Sequence, residues 1–184
     1  MSSMTIAQLQ THVFSDKMQN IEALRPLIQK AKNSGADLVC LPEMFNCPYE
    51  TPNFPVYAEK AGGPVWQALS DLAKEFGIYF SAGSVPECDQ DGHVFNTAYV
   101  FDRRGKQIAR HRKVHLFDID VKGGQYFKES DTLTPGDSAT VFDTEFGKIG
   151  LCICFKKTKG SGRIRFHPQS QLPCLIQIFR PGLY

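Results

Sequence analysis

Lys148-Ile149-Gly150-Leu151-Cys152-Ile153-Cys154-Phe155 decides how this chain is read. Its apolar residues run as a strand, Phe146-Gly147 supplies a turn before it, and Cys154 stands at its end. Strand patterns crowd upstream of it, at Ile78–Val85, Phe95–Phe101, Ile108–Lys113 and Ala139–Asp143, with turns at Gly92 and Arg104-Gly105. Further out, Asp37–Leu41 is a short apolar strand ended by Pro42, and Thr5–Gln10 alternates as a first strand. Two helical stretches lie among these. Ile21, Leu24, Ile28 and Ala31 predict a helix over 17–34, capped by Ser15 or Asp16, stopped by Gly35 and kinked at Pro26. Pro64 opens a second helix as its first residue, with Val65, Leu69, Leu72, Ala73 and Phe76 as the buried stripe and Gly77 as the end. Strand, helix, strand, helix and then a run of strands imply an α/β layer structure, with helices covering a mixed sheet.

Composition fits that reading. A chain of 184 residues with 42% hydrophobic and 22% charged residues has enough apolar material for one sizeable core and is not of disordered type. No apolar stretch has the roughly 18 residues that a membrane span needs. Met1–Thr5 lacks a secretory pattern, and the six cysteines form no repeating framework, so they are expected to be reduced thiols of a cytoplasmic protein. Net charge is +2, unevenly spread: residues 156–184 hold six Lys or Arg and no acid, which leaves 1–155 at −4. Periodicity also fades after Lys157, although Cys174–Phe179 can pass as a strand. The expected organisation is a domain over 5–155 followed by a basic, irregular tail over 156–184. A nucleic-acid arm is one reading of the tail, weakened by its few aromatics.

Three residues carry candidate chemistry. Glu43 follows a buried strand, at the end where α/β sheets present functional groups, though a solvated loop carboxylate would look the same. Lys113 closes a strand inside His111-Arg112-Lys113-Val114-His115, a cluster that also reads as a solvated basic face. Cys154 is a nucleophile only if a cation and a proton acceptor lie near it; otherwise it is a buried structural thiol. His111 and His115 with Cys152 and Cys154 could instead form a zinc site, because a Cys-x-Cys strand points both thiols to one face. The usual ligand spacing is missing, and no metal is expected.

Leu41-Pro42-Glu43-Met44-Phe45, His111-Arg112-Lys113-Val114-His115-Leu116 and Gly150-Leu151-Cys152-Ile153-Cys154-Phe155 resemble the three motifs of the nitrilase-type carbon–nitrogen hydrolases, in order and spacing. Phe45–Tyr49, His115–Asp120 and Glu129–Leu133 with Pro135-Gly136-Asp137 are most similar to the omega-amidase branch. The resemblance covers about residues 5–155. It implies an α-β-β-α sandwich and hydrolysis of a small amide, such as the omega-amide of a short dicarboxylic acid, through a cysteine thioester with release of ammonia. It further implies Cys154 as nucleophile, Glu43 as general base, Lys113 with the N–H of residue 156 as oxyanion stabiliser, and Glu129 as a supporting carboxylate. It implies no cofactor, a small-molecule partner rather than nucleic acid or membrane, and commonly a dimer.

After Phe155 the resemblance stops. The family continues with an acidic residue and an Arg-Phe-Pro-Glu type segment, whereas this chain has Lys156-Lys157-Thr158-Lys159-Gly160-Ser161-Gly162. The expectation is a chain that lacks the family's second half, as a truncated or frameshifted form would, with a loosely held nucleophile and little turnover. The alternative is a non-catalytic partner of a full-length homologue.

Overall fold

The computed structural model describes residues 3–154 and the backbone of 174–178. Its elements in order are β1 (Ile6–Gln8), α1 (Lys17–Glu22), α2 (Leu24–Asn33), β2 (Leu38–Cys40), α3 (Asn53–Tyr57), α4 (Pro64–Phe76), β3 (Tyr79–Cys88), β4 (Val94–Phe101) and β5 (Gln107–Arg112). There follow β6 (Asp118–Asp120), β7 (Tyr126–Lys128), a 3₁₀ turn (Glu129–Asp131), β8 (Thr140–Thr144), β9 (Gly147–Ile153) and β10 (Cys174–Ile178).

Two sheets and one layer of helices result. The larger sheet runs β1-β2-β3-β4-β5, parallel through β3 and antiparallel after it. The smaller runs β10-β9-β8, with β9 antiparallel to β8 and parallel to β10. One face of the larger sheet packs on α1, α2 and α4 through Ile21, Leu24, Ile28, Leu69, Leu72, Phe80 and Phe101. Its other face meets the smaller sheet, where Leu38, Cys40, Ala98 and Val100 join Phe142, Ile149, Leu151 and Ile153. Each fully buried large apolar side chain there contributes roughly 1.5–3 kcal/mol, so the alternation along β9 is what fastens the two sheets. Helix, sheet and sheet are three layers of the expected α-β-β-α sandwich.

The helical stretch over 17–34 is two helices. Asp16 caps the first, accepting from the Gln19 N–H at 2.7 Å. The chain breaks at Ala23, so Pro26 falls in the first turn of α2, where a missing N–H leaves no bond unmade. Pro64 is indeed the first residue of α4, and Gly77 ends it in the left-handed conformation at φ 59°. In the tail, Cys174–Ile178 is a strand, so that stretch is not irregular throughout; the rest of 155–184 lies outside the described residues. No helix among the described residues is long and apolar enough to cross a membrane.

Candidate active site

Four chain segments converge where β2, β5 and β9 end. Glu43 sits in the turn after β2, anchored against a bulge in β3: the Met44 N–H donates to Ser84 Oγ at 3.0 Å, and Phe45 N–H to the Ser84 carbonyl at 3.2 Å. Gly83 makes that approach possible. It has φ +42°, and a Cβ there would stand 2.3 Å from the Pro42 carbonyl oxygen. Met44 turns at φ 49°, a left-handed conformation uncommon for a non-glycine residue.

Lys113 follows β5 and is held at both main-chain ends. Its N–H donates to the Asn96 carbonyl at 2.8 Å, and its carbonyl accepts from the Gly136 N–H at 2.8 Å. Its ammonium bridges two carboxylates, 2.8 Å from Glu43 Oε1 and 2.8 Å from Glu129 Oε2. Glu129 opens the 3₁₀ turn after the β6–β7 hairpin and also accepts the Phe117 N–H at 2.6 Å. Glu43, Lys113 and Glu129 are each 2% exposed or less. The readings of Glu43 as a solvated carboxylate and of Lys113 as part of a solvated face are therefore excluded.

Two further groups complete the array. Asn96, near the start of β4, donates from Nδ2 to Glu43 Oε1 at 2.8 Å. The Tyr49 hydroxyl donates to Glu129 Oε1 and lies 3.3 Å from Glu43 Oε1. No signal in the sequence marks either residue as part of a site. Tyr49 lies inside the family-like stretch Phe45–Tyr49, and Asn96 reads only as strand.

Electrostatics follow from two acids and one base shut away from water. Burial is the main force on Glu43 and raises its pKa, aided by the charge of Glu129 and opposed by Lys113 and Asn96. Burial acts to lower the Lys113 pKa, but the two carboxylates outweigh it and the net direction is up. Lys113 is therefore a permanent cation, and Glu43 is the group placed to exchange a proton.

Cys154 is half-buried just past β9, at φ 43°. The left-handed turn breaks the strand's alternation. Cys154 packs against the apolar cluster between the sheets, which does not include Cys152. Burial and the charges of Glu43 and Glu129 raise its pKa, while Lys113 acts to lower it, so all three charged groups act on the thiol. The proposed zinc set does not assemble. His111 Nδ1 lies 3.0 Å from Thr140 Oγ1, joining β5 to β8, and His115 is exposed. Among the described residues, the only cluster with metal-ligand spacing is Asp89, Asp91 and His93 on the β3–β4 turn. Residue 156, the expected oxyanion-hole donor, lies outside the described residues.

The sequence model of the family described as carbon-nitrogen hydrolase matches residues 4–160. A hydrolase of Schizosaccharomyces pombe is 50% identical over 142 residues, covering 76% of this chain and 44% of that protein. Omega-amidase NIT2 of Mus musculus is 48% identical over 155 residues, covering 84% of this chain and 56% of its own length. Among solved structures, Saccharomyces cerevisiae Nit3, a member of branch 10 of the nitrilase superfamily, superposes with a TM-score of 0.71 at 36% identity. That superposition covers 82% of this chain and 55% of Nit3. The chain thus spans about half the length of the curated relatives it matches.

Proposed function

The chain belongs to the carbon–nitrogen hydrolase family, and from that premise we propose that its buried array is the acid, base and nucleophile set of an amidase acting on small non-peptide amides. The observation that carries this reading is the Glu43–Lys113–Glu129 array, closed to water, with the half-buried Cys154 thiol inside its field. A thiol needs an acceptor for its proton and a cation for the negative charge that develops, and the charges of Glu43 and Lys113 both act on this one.

In the proposed reaction, Cys154 Sγ attacks the amide carbonyl while Glu43 takes the thiol proton. Negative charge gathers on the carbonyl oxygen, where the Lys113 ammonium stabilises it. The C–N bond then breaks, Glu43 returns its proton to the departing nitrogen as ammonia leaves, and an acyl thioester remains on Cys154. Water, giving a proton to Glu43, attacks the thioester; the free acid departs and the thiol is restored. Glu129 holds Lys113 and touches no reacting atom, so it is a positioning residue.

Similarity to an omega-amidase supports a substrate of the omega-amide type, such as alpha-ketoglutaramate. We assign the catalytic residues and the family-like part of the domain to 5–155, with the basic stretch 156–184 beyond it, although the family model runs to residue 160 and β10 adds a strand beside β9. Turnover in the 184-residue chain is proposed to be low, because Lys156–Gly162 differs from the segment that follows the cysteine in the family. No specific feature among the described residues favours the interaction-partner reading.

The test measures ammonia from a short omega-amide in the first turnover, with the 184-residue chain at substrate-like concentration, beside Cys154→Ala. The expected result is up to one ammonia per chain, abolished by the substitution. Ammonia release unchanged in Cys154→Ala would remove the thiol from the mechanism.

A further inference from the structure

Resting on the amidase reading above, we propose that Asn96 is a positioning residue that commits one oxygen of Glu43 to hydrogen bonding and leaves the other as the base for Cys154. Two donors bond Glu43 Oε1, Lys113 Nζ at 2.8 Å and Asn96 Nδ2 at 2.8 Å, while the Tyr49 hydroxyl, which gives its one proton to Glu129, lies 3.3 Å from the same oxygen. The hydrogen bonds received by this carboxylate among the described residues thus all fall on one oxygen. An oxygen with its lone pairs engaged by an ammonium and an amide is a poor proton acceptor, so the thiol proton goes to Oε2.

Asn96 fixes this arrangement from two directions. Its side chain holds Glu43, and its main-chain carbonyl accepts the Lys113 N–H at 2.8 Å, so one residue of β4 sets the position of base and cation together. Its own surroundings show that stability is not what the side chain serves. Asn96 is fully buried, and its Oδ1 has no hydrogen-bond partner among the described residues. A buried acceptor without a partner is costly, and an apolar residue of the same shape would avoid that cost. The amide donor to Glu43 is the feature an apolar residue would lack.

The groups facing Glu43 also fix the direction of a pH effect. They are Lys113 after β5, Glu129 in the 3₁₀ turn, Tyr49 from the loop after β2, Asn96 on β4 and Cys154 after β9. Removing the Asn96 donor takes away a bond that favours the ionised carboxylate, while the rest stay. Glu43 would then hold its proton to higher pH, and Cys154 would lose its base over that range.

The experiment follows the rate of Cys154 alkylation by iodoacetamide against pH in the full chain, by peptide mass. The variants are Asn96→Leu and Asn96→Ala, each with a thermal melt. Thr97→Val serves as control: its neighbouring hydroxyl is also buried without a partner but is not bonded to Glu43. The expected result is a melting temperature held or raised in Asn96→Leu, with the acid limb moved to higher pH. On that limb the rate should fall about tenfold at fixed pH, the size of one hydrogen bond to a charged group. Thr97→Val should leave the limb in place. An unmoved limb in a folded Asn96 variant, or loss of the fold in both variants, overturns the proposal. If wild-type alkylation shows no preference for Cys154 over the other cysteines, the amidase reading itself fails.

Discussion

Lys113 Nζ lies 2.8 Å from Glu43 Oε1 with both side chains shut away from water, so neither charge has any solvent to fall back on. Glu129 touches the same ammonium from the other side at 2.8 Å, making one cation the counter-ion of two acids. A buried pair adds little to stability against a well-packed apolar replacement, yet breaking it strands a charge in low dielectric. The array is therefore tight, and unforgiving of the loss of the one cation that both acids share.

Lys113→Met is expected to destabilise the fold by about 3–5 kcal/mol, because it leaves two carboxylates facing each other without a cation. Chemical denaturation of the variant checks this. A loss under about 1 kcal/mol would mean that the acids protonate or reach water at little cost.

Glu43→Gln should separate stability from activity. Because the folded-state pKa of Glu43 lies above its ordinary value, the fold favours the protonated form, and the stability it contributes is present at low pH and lost as pH rises through that folded pKa. Gln mimics the protonated form. The variant should be at least as stable as the parent at neutral pH, equal to it in acid, and inactive. Denaturant midpoints at several pH values, with an acylation assay, supply both readings.

His111 predicts the opposite slope. Burial lowers its folded-state pKa, so stability is present above the ordinary value near 6.5 and is lost as pH falls through the folded pKa. Its ring stands against Thr140 across the two sheets, so protonation should loosen β8 from β5. His111→Gln should flatten the acid side of the stability profile; an unchanged profile would place the acid sensitivity elsewhere.

Gly83→Ala should disturb the site from a distance. The added methyl would fall 2.3 Å from the Pro42 carbonyl oxygen at a backbone angle that L residues rarely adopt. Overpacking of this kind costs about 1–3 kcal/mol and pushes on the turn that carries Glu43. Stability and acylation rate should both fall, whereas Gly35→Ala, also at a positive φ (+80°) but with nothing within 4 Å of its Cβ, should affect stability alone.

Much of this structure is legible in the sequence, because long strands and the amphipathic α4 carry strong periodicity. β3, β4, β5, β8 and β9 fall within a few residues of where alternation and turns place them. The hairpin β6–β7 and the short α3 escape that reading, since three to five residues carry too little pattern to separate them from loop. Glu43, Lys113, Glu129 and Cys154 are visible through family-like motifs, and their positions as strand ends follow from local sequence. Tyr49 and Asn96 are not visible, because their role comes from tertiary register: Asn96 meets Glu43 only because β4 pairs with β5 so that its carbonyl takes the Lys113 N–H. Cys154 departs from the strand rule for a local reason. Its left-handed φ ends the alternation that would put it on the face of Cys152.

The central claim is that Cys154 becomes acylated with Glu43 as its base. Intact-mass analysis after acid quench of the full chain with a short omega-amide tests it most directly. The account predicts an added acyl mass that maps to Cys154, formed in the parent and missing from both Cys154→Ala and Glu43→Gln. An acyl adduct at full yield in Glu43→Gln, or one that maps to another cysteine, would contradict it.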